Sequence, residues 1–228
     1  MLFSLTLIRD MARLIAFDIQ RTLRQPGDAL GGVAFFILIM LVLPLILIDR
    51  SNPNLATLLW LGMLLALLPA LARLFHDDWV EGVWEAMLAS SHPLTAILTA
   101  RLIASCITLL IPLLVAMLVF ALAFGIDPAS LPGLCLAFTL ASVCFVLIGG
   151  MAGALSLGAR NSQILSAVII VPLALPVLIF GAGITNTLSG GQANAHANGG
   201  WQFLLAEFLL LLALSPIITA TAIRFAEE

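Results

Sequence analysis

Six stretches of the chain are each apolar and long enough to cross a lipid bilayer as a helix. A hydrocarbon core of about 30 Å is spanned by ~20 apolar residues of α-helix. Only 9% of the residues are charged, against roughly 25% in a soluble domain. The sequence therefore predicts an all-α membrane protein, a single domain over residues 1–228 with six transmembrane helices at about 30–48, 55–75, 97–124, 131–157, 163–185 and 201–225.

Arginine placement predicts the orientation of these helices. If the N-terminus is cytoplasmic, the outer loops hold Arg50 alone, and the cytoplasmic segments hold Arg9, Arg13, Arg21, Arg24, Arg73, Arg101, Arg160 and Arg224. Basic residues concentrate on the cytoplasmic side of membrane proteins. We therefore expect both termini to be cytoplasmic.

Residues 2–24 precede the first apolar stretch and are too polar to span the membrane. On a helix, one face carries Leu7, Ile8, Met11, Leu14, Ile15 and Ile19, and the other carries Arg9, Arg13, Gln20 and Arg24. This pattern predicts an amphipathic helix that lies in the membrane interface, with its arginines toward anionic headgroups. Asp18 falls in the middle of the apolar stripe and breaks the pattern.

The link between the second and third spans predicts a second amphipathic helix, from Phe75 to Leu88. Asp78, Glu81 and Glu85 share one face; the other carries Trp79, Val80, Val83, Ala86 and Met87. Two interpretations stand side by side: a solvated face over a helix resting on the membrane, or a docking helix for a partner with a basic groove. On the second interpretation the contact residues are Asp77, Asp78, Trp79, Glu81, Gly82, Val83 and Glu85, with Gly82 at a point of close approach.

Small residues and prolines mark the later spans. Gly149 and Gly153 have the spacing that lets helices pack closely. Pro172 and Pro176 each remove a backbone hydrogen bond from the fifth span, and Pro216 repeats this in the sixth. We expect these helices to be bent at the prolines.

Glu207 is the one carboxylate placed well inside a predicted span, roughly 9 Å from its outer boundary at 1.5 Å per residue. Intramembrane carboxylates are candidate functional residues. A side chain that reaches the interface or takes up a proton is the alternative interpretation.

Nothing in the residues indicates catalysis. The chain has no lysine, which excludes a P-loop ATPase, because that motif needs a lysine on the phosphates. No nucleophile–base pair, metal-ligand spacing or haem-attachment motif is present. We expect a non-catalytic protein with no covalently bound cofactor and no nucleic-acid partner.

Three stretches together carry a resemblance to a known family. They are Arg73-Leu-Phe-x-Asp-Asp-x-x-x-Gly82-x-x-Glu85, the run from Pro172 to Gly181, and Leu214-Ser-Pro216. With the interfacial helix and six spans, the chain resembles type 2 ABC permeases and, more specifically, the haem-exporter permease B (CcmB) family of bacterial cytochrome c maturation. The resemblance covers essentially the whole chain.

The resemblance implies a permease subunit in the bacterial inner membrane that forms a homodimer and binds a separate cytoplasmic ATPase through a coupling helix. It also implies association with the other membrane subunits that load haem onto a periplasmic haem chaperone. Either haem is transported through the subunit, or ATP-driven motion releases the loaded chaperone. The alternative from another class is a stand-alone secondary transporter driven by protons through Glu207.

Overall fold

The computed structural model describes residues 2–24, 27–46, 54–89, 93–123, 126–188 and 195–227. Within these ranges the secondary structure is entirely helical. In chain order the helices are α1 (Leu2–Arg24), α2 (Gly27–Ile46), α3 (Asn54–Arg73), α4 (His76–Val80), α5 (Val83–Leu88), α6 (Leu94–Ala123), α7 (Leu131–Leu155), α8 (Ser162–Leu188) and α9 (Ala195–Glu227).

Five apolar segments are long enough to cross a membrane, so the chain is a multi-pass helical membrane protein. They are Leu59–Val80, Leu94–Ala123, Leu131–Leu155, Ser162–Thr185 and Gly199–Ala226. The first predicted span coincides with α2, of which a shorter apolar segment, Gly31–Val42, is described in full. The first span, and with it the total of six, therefore stays a prediction.

The central helix of the bundle is α7, which packs against α3, α6, α8 and α9. Two adjacent glycines allow this. A methyl group at Gly149 would lie 2.8 Å from Cδ2 of Leu71 on α3, and one at Gly150 would lie 2.6 Å from Cδ2 of Leu102 on α6. Real Cβ atoms do not come so close. The close packing predicted at Gly149 is confirmed.

Polar and aromatic pairs join the helices away from α4 and α5. Trp60 of α3 donates a hydrogen bond from Nε1 to Oγ1 of Thr185 on α8, 2.8 Å away and fully buried. The rings of Phe180 and Phe203 stack with centroids 4.9 Å apart, which joins α8 to α9. Such pairs fix the relative position of helices that otherwise share only apolar surface.

Residues 186–200, which lie between the fifth and sixth predicted spans, are helical at both ends. Helix α8 continues to Leu188 and α9 already begins at Ala195, so only 189–194 separate them, and these lie outside the described residues. The predicted spans are shorter than these helices because the Gly, Ser, Asn and Ala residues of this stretch are typical of a flexible loop. Glycine and asparagine are poor helix formers, but a helix already formed can extend through a few of them.

Candidate functional site

The segment between α3 and α6 is two short helices, not the single helix predicted from Phe75 to Leu88. Helix α4 ends at Val80 and α5 begins at Val83, with a turn at Glu81 and Gly82. The backbone of Gly82 is left-handed, with φ 70°. The prediction failed because acidic residues spaced i, i+3 and i+7 fit a continuous helix, and the spacing does not reveal an interruption by one glycine.

The conformation of Gly82 gives a separate reason for a glycine there. A Cβ at Gly82 would meet no described atom within 4 Å beyond its chain neighbours, and the predicted close approach to a partner stays a prediction. A left-handed backbone favours glycine for steric reasons of its own. The glycine is therefore needed for the turn between α4 and α5.

An aromatic pair attaches this segment to the bundle. The ring of Trp84 is 1% exposed and meets the buried ring of Phe75 edge-on, with centroids 5.4 Å apart. Its indole Nε1 also donates a hydrogen bond of 3.4 Å to the backbone carbonyl of Phe75. Trp84 is thus an internal anchor of α5, so it is not free to contact a partner.

A further contact joins α4 to the start of α8. Nδ1 of His76 shares a hydrogen bond of 2.8 Å with Oγ of Ser162. His76 is partly buried at the first position of α4. The α4–α5 segment is therefore held on two sides, through Trp84 and through His76.

The surface that the segment leaves open is acidic with one apolar side chain at its centre. Asp77, Glu81, Gly82 and Glu85 are exposed, and Val80 is 70% exposed. Trp79 and Val83 are half-buried, and Trp79 packs against the core. Of the predicted contact residues, the structure therefore exposes four fully and two in part; Asp78 is the exception.

Asp78 was predicted on the acidic face, but it is 2% exposed. Its carboxylate accepts hydrogen bonds from two guanidinium groups that belong to different helices. Nη1 of Arg21 on α1 donates to Oδ1 at 3.1 Å, and Nη2 of Arg101 on α6 donates to Oδ2. Two cations compensate the cost of burying one carboxylate.

The same arginines hold two more carboxylates. Arg101 pairs with Asp18 of α1 at 3.8 Å, and Arg21 pairs with Glu81 at 3.3 Å. We call Asp18, Arg21, Asp78, Glu81 and Arg101 the charge network. Asp18 breaks the apolar stripe of α1 because it lies on the face that packs against α6, where it meets Arg101.

Arg101, Arg21 and Asp18 were absent from the predicted site. Asp18, a carboxylate within an apolar stripe, was the one visible signal, and no pattern in the sequence identifies its partner. Arg101 had been read as an ordinary cytoplasmic arginine, but it lies in the second turn of α6 with its side chain 14% exposed.

A cavity of about 410 Å³ lies beside the charge network, between α1, α5 and α6. Its wall combines charged and apolar side chains: Leu14, Phe17, Asp18, Arg21, Glu81, Val83, Met87, Ile97 and Arg101. The charges that line it are already paired with one another or with Asp78. The cavity thus offers space beside a network in which each charged side chain already has a partner.

The prolines predicted to bend α8 lie on its outer surface. Pro172 and Pro176 are both exposed, and α8 runs without interruption from Ser162 to Leu188. Pro216 is half-buried inside α9, next to Ser215, whose hydroxyl donates a hydrogen bond of 3.2 Å to the carbonyl of Leu147. Bending at these positions stays a prediction.

Glu207 lies in α9, about 12 Å along the helix from Gly199, where the apolar segment begins, at ~1.5 Å per residue. Its side chain is half-buried, and Oε2 is buried without a hydrogen-bond partner among the described residues. Glu207 is not part of the charge network, and the described residues hold no cluster of His, Cys, Asp or Glu that could bind a metal ion.

Comparison with known proteins covers nearly the whole chain. The family model for CcmB protein matches residues 9–226. Heme exporter protein B of Bradyrhizobium diazoefficiens is 31% identical over 94% of this chain and 97% of its own length. The proteins of the same name from Pseudomonas aeruginosa and Escherichia coli K12 are 29% and 26% identical, over 97% and 93% of this chain and 96% of each relative.

The extent of the family match and the helical membrane architecture agree with the resemblance carried by the three sequence motifs. The chain belongs to the CcmB protein family.

Proposed function

We propose that this chain is the permease subunit of an ABC transporter complex that exports or delivers haem for cytochrome c maturation. The observation that carries this proposal is the family match over residues 9–226, together with relatives named heme exporter protein B that align over nearly their full length. Haem is the cargo of this proposed function.

A separate subunit supplies the ATP hydrolysis in this proposal, because the chain has no lysine with which to hold nucleotide phosphates. The exposed surface of α4 and α5 is the proposed contact with that ATPase. Val80 provides an apolar contact, Trp79 lies half-buried beside it, and Asp77, Glu81 and Glu85 form an acidic rim. A basic groove on the ATPase would complement this surface in shape and charge.

The remaining assignments follow from arginine placement and the family. We propose six spans within one permease domain, with α1 along the cytoplasmic interface and both termini cytoplasmic in the bacterial inner membrane. Two copies form a homodimer and join the other membrane subunits that serve the periplasmic haem chaperone. In this complex, ATP-driven motion either moves haem through the subunit or releases the loaded chaperone.

Purification in mild detergent tests the proposal. The wild-type chain is expected to co-purify with an ABC ATPase. Trp79→Ala should weaken ATPase binding roughly thirtyfold while dimerisation persists, since removing an interface anchor commonly costs ~2 kcal/mol. Transport by the chain alone in proton-loaded liposomes, with no ATPase in the wild-type preparation, would instead support the secondary transporter.

Charge reversal separates the rim from the apolar contact. Glu81→Lys with Glu85→Lys should weaken ATPase binding mainly at low salt, because exposed charges act through screened attraction. Glu81 also pairs with Arg21, so Asp77→Lys with Glu85→Lys is the sharper pair. Asp127→Lys, at an exposed turn before α7, is the matched control. Equal ATPase recovery in all of these variants would show that the segment is only a solvated connector.

A further inference from the structure

The charge network joins three helices that are far apart in the sequence. Asp78 belongs to α4, Arg21 to α1 and Arg101 to α6. Because both oxygens of one carboxylate are used, one by each guanidinium, Asp78 fixes α1 and α6 at the same time. Asp18 and Glu81 close the arrangement by pairing with Arg101 and Arg21.

We propose that Asp78 is a positioning residue that makes α1, the α4–α5 segment and the first turns of α6 move as one unit. On this proposal, which rests on the proposed ATPase contact, a displacement of the exposed α4–α5 surface is transmitted to α1 and to the base of α6 together. Two observations support this role: the side chain of Asp78 is buried, and its two partners lie on separate helices.

The geometry favours transmission over a merely local role. Asp78 is one residue from Trp79 and two from Val80, which belong to the proposed contact surface, yet its own side chain points into the protein. Surface ion pairs couple weakly because water screens them. A buried carboxylate shared by two cations couples more strongly, because its charges cannot be solvated separately.

The other joints of the segment make α1 the element that depends most on the network. Helix α5 stays attached to the bundle through Trp84 and Phe75, and α4 through His76 and Ser162. Helix α1 packs against α6, but its described side chains are mostly exposed or half-buried. Loss of Asp78 should therefore loosen α1 before it loosens α4 and α5.

The adjacent cavity does not point to a haem or anion site. Within the network, three carboxylates (Asp18, Asp78 and Glu81) face two guanidiniums. An anionic ligand such as a haem propionate would meet a local excess of negative charge, which opposes binding. The cavity instead leaves room for α1 to shift relative to α5.

A distance measurement between α1 and the α4–α5 segment tests the first half of the proposal. Nitroxide labels are placed at Phe17→Cys, a position 64% exposed, and at Ala89→Cys, an exposed position at the end of α5 outside the proposed contact surface, in a chain whose three native cysteines are replaced. The complete complex is purified, and the distance distribution is recorded by pulsed EPR. A narrow distribution is expected with Asp78 intact, and a broad one is expected in Asp78→Asn.

Activity measurements on the same complexes test the second half. Asp78→Asn should retain the ATPase subunit and ATP hydrolysis, because the exposed contact surface is unchanged. Cytochrome c maturation should fall about tenfold, within the usual range of coupling between distant sites. Asp78→Glu, which keeps the charge, should recover most of the maturation and a narrower distribution.

Arg21→Gln and Glu85→Gln serve as matched variants. Arg21→Gln removes the ion pairs of α1 with Asp78 and Glu81 and leaves those of Arg101 with Asp18 and Asp78, so it should loosen α1 even if Asp78→Asn folds poorly. Glu85→Gln removes one exposed acid from α5 and should leave the distance distribution narrow.

An unchanged distribution in both Asp78→Asn and Arg21→Gln overturns the proposal, and so does a loosened α1 with full maturation. The wild-type chain is purified first. If no ATPase co-purifies with it, the proposed function is contradicted, and this result is distinct from any result on the Asp78 variants.

Discussion

Two acidic residues of this molecule each have a buried carboxylate oxygen, but they differ in the partners that this carboxylate has. Asp78, beside the α3–α6 connection, is 2% exposed and shared by two guanidinium groups from two other helices. Glu207, toward the opposite end of the bundle in α9, has a buried oxygen with no partner among the described residues. The first carboxylate is held by the chain's own cations, and the second is not.

This difference in partners indicates what each carboxylate contributes to, the structure of the chain or its function. A charge with complete compensation within the chain contributes to the position of the elements that supply its partners, and its removal disturbs all of them. A carboxyl without such partners has little local structure to lose, so its importance depends on protons, lipid or another subunit. Mutations at the two sites should therefore differ in stability and in function.

Removal of the Asp78 side chain should have the largest effect. Asp78→Ala leaves two partly buried guanidiniums without their shared partner, and breaking a buried pair of this kind costs about 3 kcal/mol. We expect a clearly lowered midpoint of thermal unfolding in detergent and a low yield of inserted protein. Asp77→Ala is the control, because Asp77 is exposed and surface substitutions usually stay within ~0.5 kcal/mol. Equal midpoints for the two variants would show that the ion pairs of Asp78 do not stabilise the protein.

Changing the turn at Gly82 should come second. Gly82→Leu forces a side chain into a left-handed backbone, at a cost of roughly 1–2 kcal/mol, and shifts Glu81 away from Arg21. ATPase co-purification should fall, while the rest of the bundle keeps its thermal stability. Gly82→Asn should be milder, because asparagine tolerates this conformation. If both substitutions are silent, the turn does not set the position of Glu81.

Neutralising Glu207 should have a small effect on stability. Glu207→Gln keeps the shape, and no hydrogen bond to Oε2 among the described residues is lost. We expect a free energy of unfolding within about 0.5 kcal/mol of wild type and cytochrome c maturation near the wild-type level. Abolished maturation with normal insertion would make the carboxyl functional and revive the proton-driven alternative.

The exposed prolines of α8 should matter least for stability. Pro172→Ala with Pro176→Ala fills no cavity and removes no buried contact, since both rings lie on the outer surface. Insertion and dimerisation should be unchanged, and maturation should fall if a bend in α8 serves transport. Unchanged maturation would reduce both prolines to packing features of the membrane-facing side.

The helices themselves could largely be predicted from the sequence because lipid imposes one rule on every span. Long apolar runs bounded by polar residues locate α3, α6, α7, α8 and α9 within a few residues. The close approach of α7 at Gly149 also follows from local spacing. In each case the decisive information lies within one segment of the chain.

The charge network could not be predicted because it depends on contacts between distant segments. Arg21 and Asp78 are 57 positions apart, and helical periodicity says nothing about which segments meet. The same periodicity placed Asp78 on a solvated face and did not show the break at Gly82. Asp18 was recognised as anomalous, but its explanation required the position of Arg101.

The distance in sequence between α1 and its partners also has a consequence during synthesis. Helix α1 is synthesised before α4, and Asp78 is added 57 residues after Arg21. At ~5–20 residues per second, this takes about 3 to 11 seconds. During that interval α6, against which α1 packs, has not yet been made, so the membrane interface can bury the apolar stripe of α1. The two-faced pattern of α1 thus suits the nascent chain as well as the finished protein.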